Sequence, residues 1–377
     1  MDRASAVLPI QSPKDVSVAS IQAELENIWS SSSSSVAARA STFNIIVYEA
    51  LDNTNLFPSE AVEAFATQNP CRVIDLRSKS DGDANSPLEA QVAAYCPVDG
   101  SSSGLVCCEY VTLQAPEAAF ERACSTISSL LIPDLSAYLW WRGDLDLDSS
   151  LFQQLVSISH RVIVDSSTFV NPEEDLQEMH LLVRQGNYCG DLNWRRLNSW
   201  QELTAQAFDP PERRASLGAI DRVTIDYNSA NPCQAMLYLG WLASRLSWEP
   251  RSRTQRVEHD YAIDDVTFRS NAGIEIQVEL AAVPTAAATP GELTGLRLNS
   301  SDLNADACTV LCSETTGCMR MEVMGGAQSC RIQQVSSVDR QETETLLAQQ
   351  LQRVGNDQLY EESIAMVERI LNAPLPS

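Results

Sequence analysis

The sequence is poor in the residues that most often carry chemistry. It has three histidines and two lysines in 377 residues. His160 precedes a strand-like run, His180 falls in an amphipathic stretch and His259 in a polar one. None has a metal-ligating partner at helical or hairpin spacing, so all three read as structural. No phosphate-binding glycine loop, GxGxxG fingerprint or GxSxG elbow is present, which leaves no motif for nucleotide binding or serine hydrolysis. Nowhere do apolar residues run uninterrupted for the roughly 18 positions of a transmembrane helix. The opening MDRASAVLPIQSPKDV has no long apolar core and no cleavage site. A cytoplasmic protein is therefore expected. A formal net charge of −24 argues against nucleic acid and anionic membrane surfaces as partners.

What the chain does have is unevenly placed. It is 44% hydrophobic and 20% charged, as a soluble globular protein is, and long enough for two ordinary domains. Of its 26 basic residues 24 are arginines, and ten of those lie between Arg184 and Arg256. Arginine suits interfaces and phosphate sites, and it also serves a solvated surface. Eleven cysteines in a reducing compartment are expected to act mostly as small buried hydrophobes, with Cys71, Cys124, Cys189 and Cys233 fitting best.

Alternating strand-like and helix-like runs predict an α/β fold in two domains. Residues 1–35 read as a helix, capped by Ser12 with Pro13 in its first turn, followed by a serine-rich linker. Residues 36–211 read as an α/β sheet domain with helices on its faces. Its strands are expected at 43–50, 71–78, 91–98, 105–113, 136–141 and 161–167. Phe208-Asp209-Pro210-Pro211 marks a break, and residues 212–377 read as an α+β domain with a largely antiparallel sheet. A buried helix over 231–248 is expected there, with strands at 219–227, 255–269, 273–283 and 293–299. A cysteine hairpin, a last strand and acidic helices over 341–372 complete it.

Most candidate chemistry dissolves on inspection. Asp144, Asp146 and Asp148 alternate like part of a calcium loop but lack its glycine and terminal glutamate. Cys308, Cys312, Cys318 and Cys330 do not match paired zinc knuckles, so no metal is expected. Asp165, Ser166 and Ser167 follow a strand without a histidine partner, and read as packing and helix capping.

Cys312 and Cys318 stand apart. TVLC and CMRMEV flank a polar five-residue segment ending in Gly317, which predicts two strands and a loop. If the hairpin pairs symmetrically the two cysteines face each other, with Cβ atoms about 4.5–5.5 Å apart and within small adjustment of a disulfide. A redox pair and two inert buried thiols both fit this spacing.

LWWRGD (139–144), RVIVDSS (161–167), WRRLNSWQELTAQAFDPPERR (194–214) and NPCQAMLYLGWLASRLSW (231–248) together resemble the OpcA family of glucose-6-phosphate dehydrogenase assembly proteins. The resemblance covers most of the chain. It implies a non-catalytic activator of glucose-6-phosphate dehydrogenase in the oxidative pentose phosphate pathway, with no cofactor and with thioredoxin as a second partner. It also implies a C-terminal redox pair six positions apart, matching Cys312 and Cys318, active when oxidised and weakened by reduction. Cys308 and Cys330 are extra thiols able to exchange with that pair. Trp140, Trp141 and Arg142 are expected interface anchors, because Trp and Arg dominate interface energetics, though a Trp-Trp pair ending a strand also suits core packing. A second reading is an enzyme acting on a sugar phosphate through Arg142, Asp165 and Ser166, which lacks a nucleophile–base set. A third is a thioredoxin-like oxidoreductase, against which stands the absence of C-x-x-C at the start of a βαβ unit.

Overall fold

The computed structural model describes residues 7–31, 37–39, 41–50, 69–97, 105–228, 231–258, 261–284, 291–302, 307–313, 318–325, 328–337, 343–353 and 355–376. Residues 32–36 of the serine-rich linker and His259 lie outside them, while Ser30 and Ser31 belong to a helix. The chain separates into two compact units. The first comprises residues 1–164, 186–192 and 341–355, and the second 165–185, 193–340 and 356–377. The proline-rich break at 208–211 therefore falls inside the second unit.

The first unit holds strands β1 (Val7–Val16), β2 (Ala37–Arg39), β3 (Phe43–Ala50), β4 (Cys71–Lys79), β5 (Glu89–Pro97) and β6 (Leu105–Pro116). β7 (Ala137–Arg142), β8 (Arg161–Val164) and β9 (Cys189–Asp191) complete its sheet. Helices α1 (Ile21–Ser31), α2 (Glu117–Leu130) and α3 (Ser150–Ser157) are interspersed. Where a helix was expected from Ser12, the chain runs as β1, antiparallel to β5, and α1 begins only at Ile21. Pro13 cannot donate to a ladder, and the pairing jumps from Gln11 to Lys14 across it.

The sheet runs β1-β5-β6-β4-β3-β7-β8-β9, with β2 beside β6. Six of its strands, β6-β4-β3-β7-β8-β9, are all mutually parallel. Counted along the chain their order is 3-2-1-4-5-6, the doubly wound arrangement of dinucleotide-binding sheets. β3 and β4 are buried almost without interruption, as parallel strands covered on both faces must be.

Two buried arginines close this unit. Arg72 donates from Nε to Glu109 Oε2 at 2.7 Å and from Nη1 to the Leu130 carbonyl at 2.6 Å, while Trp29 Nε1 of α1 reaches Glu109 Oε1 at 2.7 Å. Arg161 holds the end of a helix from the C-terminal part of the chain, Thr343–Gln352. It donates to the carbonyls of Gln350 (2.9 Å), Arg353 (3.1 Å) and Gly355 (2.7 Å). Leu346 and Leu347 of that helix join Ile45, Val47, Val73 and Trp140 in the core.

The second unit begins with α4 (Pro172–Arg184), α5 (Leu192–Arg196), α6 (Asn198–Phe208) and α7 (Pro211–Arg214), α5 being counted from Asn193 on. Then come β10 (Arg222–Asn228), α8 (Cys233–Leu246), β11 (Glu249–Glu258), β12 (Tyr261–Arg269), β13 (Glu275–Val283) and β14 (Leu293–Asn299). β15 (Ala307–Ser313), β16 (Cys318–Gly325) and β17 (Gln328–Ser337) follow, and after the helix Thr343–Gln352 (α9) the chain ends in α10 (Gln358–Leu371). The sheet order is β11-β12-β13-β10-β14-β15-β16-β17, antiparallel except for β10 on β13. The expected α+β second domain is thus observed. The run 255–269, expected as one strand, belongs to the hairpin β11–β12.

Along β13 exposure and burial alternate from Glu275 to Leu280, so over that stretch one face of the sheet is covered and the other is exposed, while Ala281 and Ala282 are both buried. α8 is buried nearly all round, and at Gly240 an added Cβ would stand 2.5 Å from the Ser363 carbonyl of α10. Glycine there allows the two helices to cross closely.

Candidate functional site

In a sheet of this order, ligands gather at the carboxyl ends of the strands, beside the first strand where the winding reverses. That strand is β3. At its end Gln114, Arg77, Glu49 and Arg142 form one row across β6, β4, β3 and β7. Two residues back the same strands bring Thr112, Asp75, Val47 and Trp140 into line. The buried Asp75 carboxylate accepts from Arg77 Nε at 2.9 Å and from the Tyr110 hydroxyl at 3.1 Å. Glu49 pairs with Arg142 at 2.9 Å. Burial pushes both carboxyls above their ordinary range, and the neighbouring guanidiniums pull them back. Two arginines thus face two carboxylates, and the set neutralises itself.

Its other side is packed with aromatic rings. Tyr48 stacks on Trp141 with centroids 3.9 Å apart, and Phe152 meets the same indole edge-on at 4.9 Å. The Tyr48 hydroxyl donates to Glu117 at 3.1 Å, and Trp141 Nε1 to the Asp144 carbonyl at 2.9 Å. Gly143 is required by this stack, because a Cβ there would meet Tyr48 at 2.9 Å. Of the three expected anchors, Trp140 is 1% and Trp141 4% exposed. Arg142 alone keeps part of its side chain at the surface, with its guanidinium 5.0 Å from the Trp140 ring centroid. The crossover after β3, where a dinucleotide-binding chain carries its glycine loop, contains no glycine from residue 51 to 68.

Asp165 and Ser166 are committed elsewhere. Burial pushes the Asp165 carboxyl up, but a two-pronged bond to Arg196 (2.7 Å to each oxygen) and bonds from Ser167 hold it below its ordinary value. Ser166 is fully buried and takes a bond from Asn193 Nδ2 at 3.1 Å, while Asn231 Nδ2 donates to its carbonyl at 3.0 Å. These residues cap the 3-10 turn at 166–168 and fasten it to the start of α8.

The cysteine hairpin forms at the expected place with a different register. β15 and β16 pair Ser313 with Cys318 and Cys312 with Met319. The two cysteines occupy adjacent register positions and do not face each other across the hairpin, because four residues, 314–317, lie between Ser313 and Cys318 in place of a symmetric five-residue loop. The loop and the side chains of Cys312, Cys318 and Cys330 lie outside the described residues. Cys308 sits opposite Val323, is fully buried, and burial pushes its thiol up to about 12. Cys71, Cys124, Cys189 and Cys233 are buried, as expected. Cys71 is raised by its own burial and then by Cys108.

The arginine-rich segment is largely paired within its own unit. Arg195 reaches Asp357, Arg253 lies between Glu173 and Asp264, and Arg256 between Asp265 and Glu279. Among the described residues no group of acidic, histidine or cysteine side chains is placed to hold a metal. No described helix is long and apolar enough to cross a membrane.

Family models for the N-terminal and C-terminal domains of the glucose-6-phosphate dehydrogenase subunit match residues 62–181 and 187–364. The chain belongs to the OpcA family. An OxPP cycle protein OpcA of Synechococcus elongatus is 38% identical, covering 97% of this chain and 98% of its own length. Its counterpart in Nostoc punctiforme is 40% identical, covering 97% and 95%. Among solved structures, the open form of the 3-ketoreductase KijD10 from Actinomadura kijaniata aligns with a TM-score of 0.50 at 8% identity, over 88% of this chain and 96% of that one. That likeness concerns the fold alone. It agrees with the strand order of the first sheet, so this OpcA-family chain carries a dinucleotide-type sheet whose strand ends are filled by its own side chains.

Proposed function

We propose that this protein is a non-catalytic, redox-responsive activator of glucose-6-phosphate dehydrogenase in the oxidative pentose phosphate pathway. Family membership over nearly the whole chain supports the partner and pathway. The observation that carries the non-catalytic reading is the self-neutralised set of Glu49, Arg77 and Arg142 with Asp75 two residues behind, beside a crossover without glycine. A pyrophosphate needs free backbone N–H groups and unspent positive charge, and both arginines of this set already face carboxylates. The protein acts by binding the dehydrogenase's higher-affinity conformation more tightly than its other conformation, since only such a difference shifts an equilibrium. Arg142, at the surface end of the row, is the contact residue of the LWWR segment, with Trp140 and Trp141 holding it from below.

Cys312 and Cys318 form the switch, oxidised in the activating state and opened by thioredoxin. In the observed register they stand one step apart. Bond formation then calls for a slip of one residue, and such a slip exchanges the two faces of a strand. The loop closed by the bond is worth about 2–2.5 kcal/mol of chain entropy. Cys308, buried and protonated, stays out of the exchange. Activation of glucose-6-phosphate dehydrogenase by oxidised and reduced protein, and by Cys312→Ser, tests this. Oxidised protein should activate more strongly than both others. Equal activation by all three, with no response to reductant, would remove the switch. Turnover of a sugar phosphate by the isolated protein would instead favour the enzyme reading.

A further inference from the structure

The second sheet has a face that stays largely exposed among the described residues. Its buried side carries Val266, Val278, Leu280 and Leu298, whereas on the opposite side most residues from β11 to β14 remain exposed or half-exposed, with Ile263, Ala281 and Gly295 buried towards one end. There Arg256 bonds to Asp265 and Glu279, and Arg297 to Asp226 at 3.0 Å. Thr224, Thr267 and Gln277 lie among them, short or neutral. Arg222, Arg256, Arg269 and Arg297 stand here against Asp226, Glu258, Asp265, Glu275 and Glu279, and Glu249 bonds to Arg251, so positive and negative charges nearly cancel, while the chain as a whole stands at −24.

We propose that this face binds a second copy of the same chain around a two-fold axis. Two copies at −24 repel, so they can approach only where charge is locally balanced. A face of one sign cannot meet itself, but one with both signs interleaved can do so with opposite charges in register, as an isologous contact requires. Thr224 of β10 and Arg297 of β14 lie opposite each other at the centre of the eight strands, where the two-fold axis would pass. Size agrees as well. Strands about 4.8 Å apart and rising about 3.3 Å per residue give a flat area of about 700 Å² over β11–β14 and about 1,000 Å² over the whole sheet, against about 800 Å² per partner in a stable dimer. The edge strand β11 is already bonded by the C-terminal tail, Arg253 N–H donating to the Pro374 carbonyl at 3.0 Å. That bond favours face-to-face contact over edge pairing at this end of the sheet.

Sedimentation velocity on the full chain, under reducing conditions to exclude intermolecular disulfides, tests the proposal. The expected mass is twice the 41.4 kDa of one chain. The double variant Thr224→Glu/Gln277→Glu sets like charges against each other across the axis. It should weaken dimerisation at least about a hundredfold while leaving the circular dichroism unchanged. Arg222→Glu serves as a second, independent surface variant if the double variant folds poorly. A monomeric wild type overturns the proposal, as does a folded variant that dimerises like the wild type. A monomer whose binding to glucose-6-phosphate dehydrogenase is lost in the double variant also overturns it, and reassigns the face to that enzyme. Failure of redox activation with the dimer intact would bear on the proposed function alone.

Discussion

β4 of the first sheet and β13 of the second are strands of equal length in opposite surroundings. β4 is buried through its first seven residues, charged ones included, whereas β13 alternates exposed glutamates and glutamine with buried Ile276, Val278 and Leu280. The sheet with the dinucleotide order is therefore the closed one, where Arg72, Arg77, Arg142 and Arg161 are each spent on a carboxylate or a carbonyl of their own unit. The second sheet leaves a broad, charge-balanced surface open. A strand-end cleft suits small molecules and an open sheet face suits a macromolecule, so the closed strand ends of the first sheet offer little to a small ligand, while the second sheet has the exposed area that the proposed contact with a second copy needs.

The comparison is most strongly tested at the Arg72–Glu109 pair. Arg72→Leu leaves a buried carboxylate without its cation and should cost about 3–5 kcal/mol in denaturant unfolding, and adding Glu109→Leu should restore much of it. Loss below about 1 kcal/mol would mean that the first sheet is not closed by its charges. In the second unit, Gly240→Val forces α8 away from the Ser363 carbonyl and should cost about 1–3 kcal/mol, seen as a lowered melting temperature. Arg161→Met releases three carbonyls at the end of α9, and hydrogen exchange over 343–352 should accelerate about tenfold or more.

A smaller effect concerns Cys308. Its thiol is raised to about 12 from an unfolded value of 9.0. The folded chain thus holds that proton more tightly, and the associated stability is complete below pH 9 and is lost as pH rises from there towards 12. Cys308→Ala should show a shallower decline in unfolding free energy between pH 9 and 11, and an unchanged slope would refute the assignment. Smallest of all, Arg222→Gln on the open face should alter thermal stability by no more than about 0.5 kcal/mol, in contrast to Arg72. A large loss there would show that the face is not free.

Long elements were legible because their periodicity is local. FNIIVYEA and AYLWW read as strands, and the helix over 233–246 as buried, from their own residues. β1 was not, because Ser12-Pro13 carries a helix-start signal that pairing with β5 overrides. β9 was too short to show a period. The acid–base set was also hidden. Glu49, Asp75, Arg77 and Arg142 come from three strands, and only parallel register brings them together. The hairpin was legible as a hairpin, while its register turned on a four-residue loop where a symmetric five-residue loop had been expected.

By itself the sequence determined the fold class, the overall charge, the absence of a nucleotide loop and the family, since these depend on composition, local period and long motifs. Tertiary structure alone decided that the two tryptophans are core, that the strand-end charges cancel and that one sheet face stays open. Each of these depends on which strands become neighbours, and hydrogen-bond register between segments distant in the chain is a property no single segment carries.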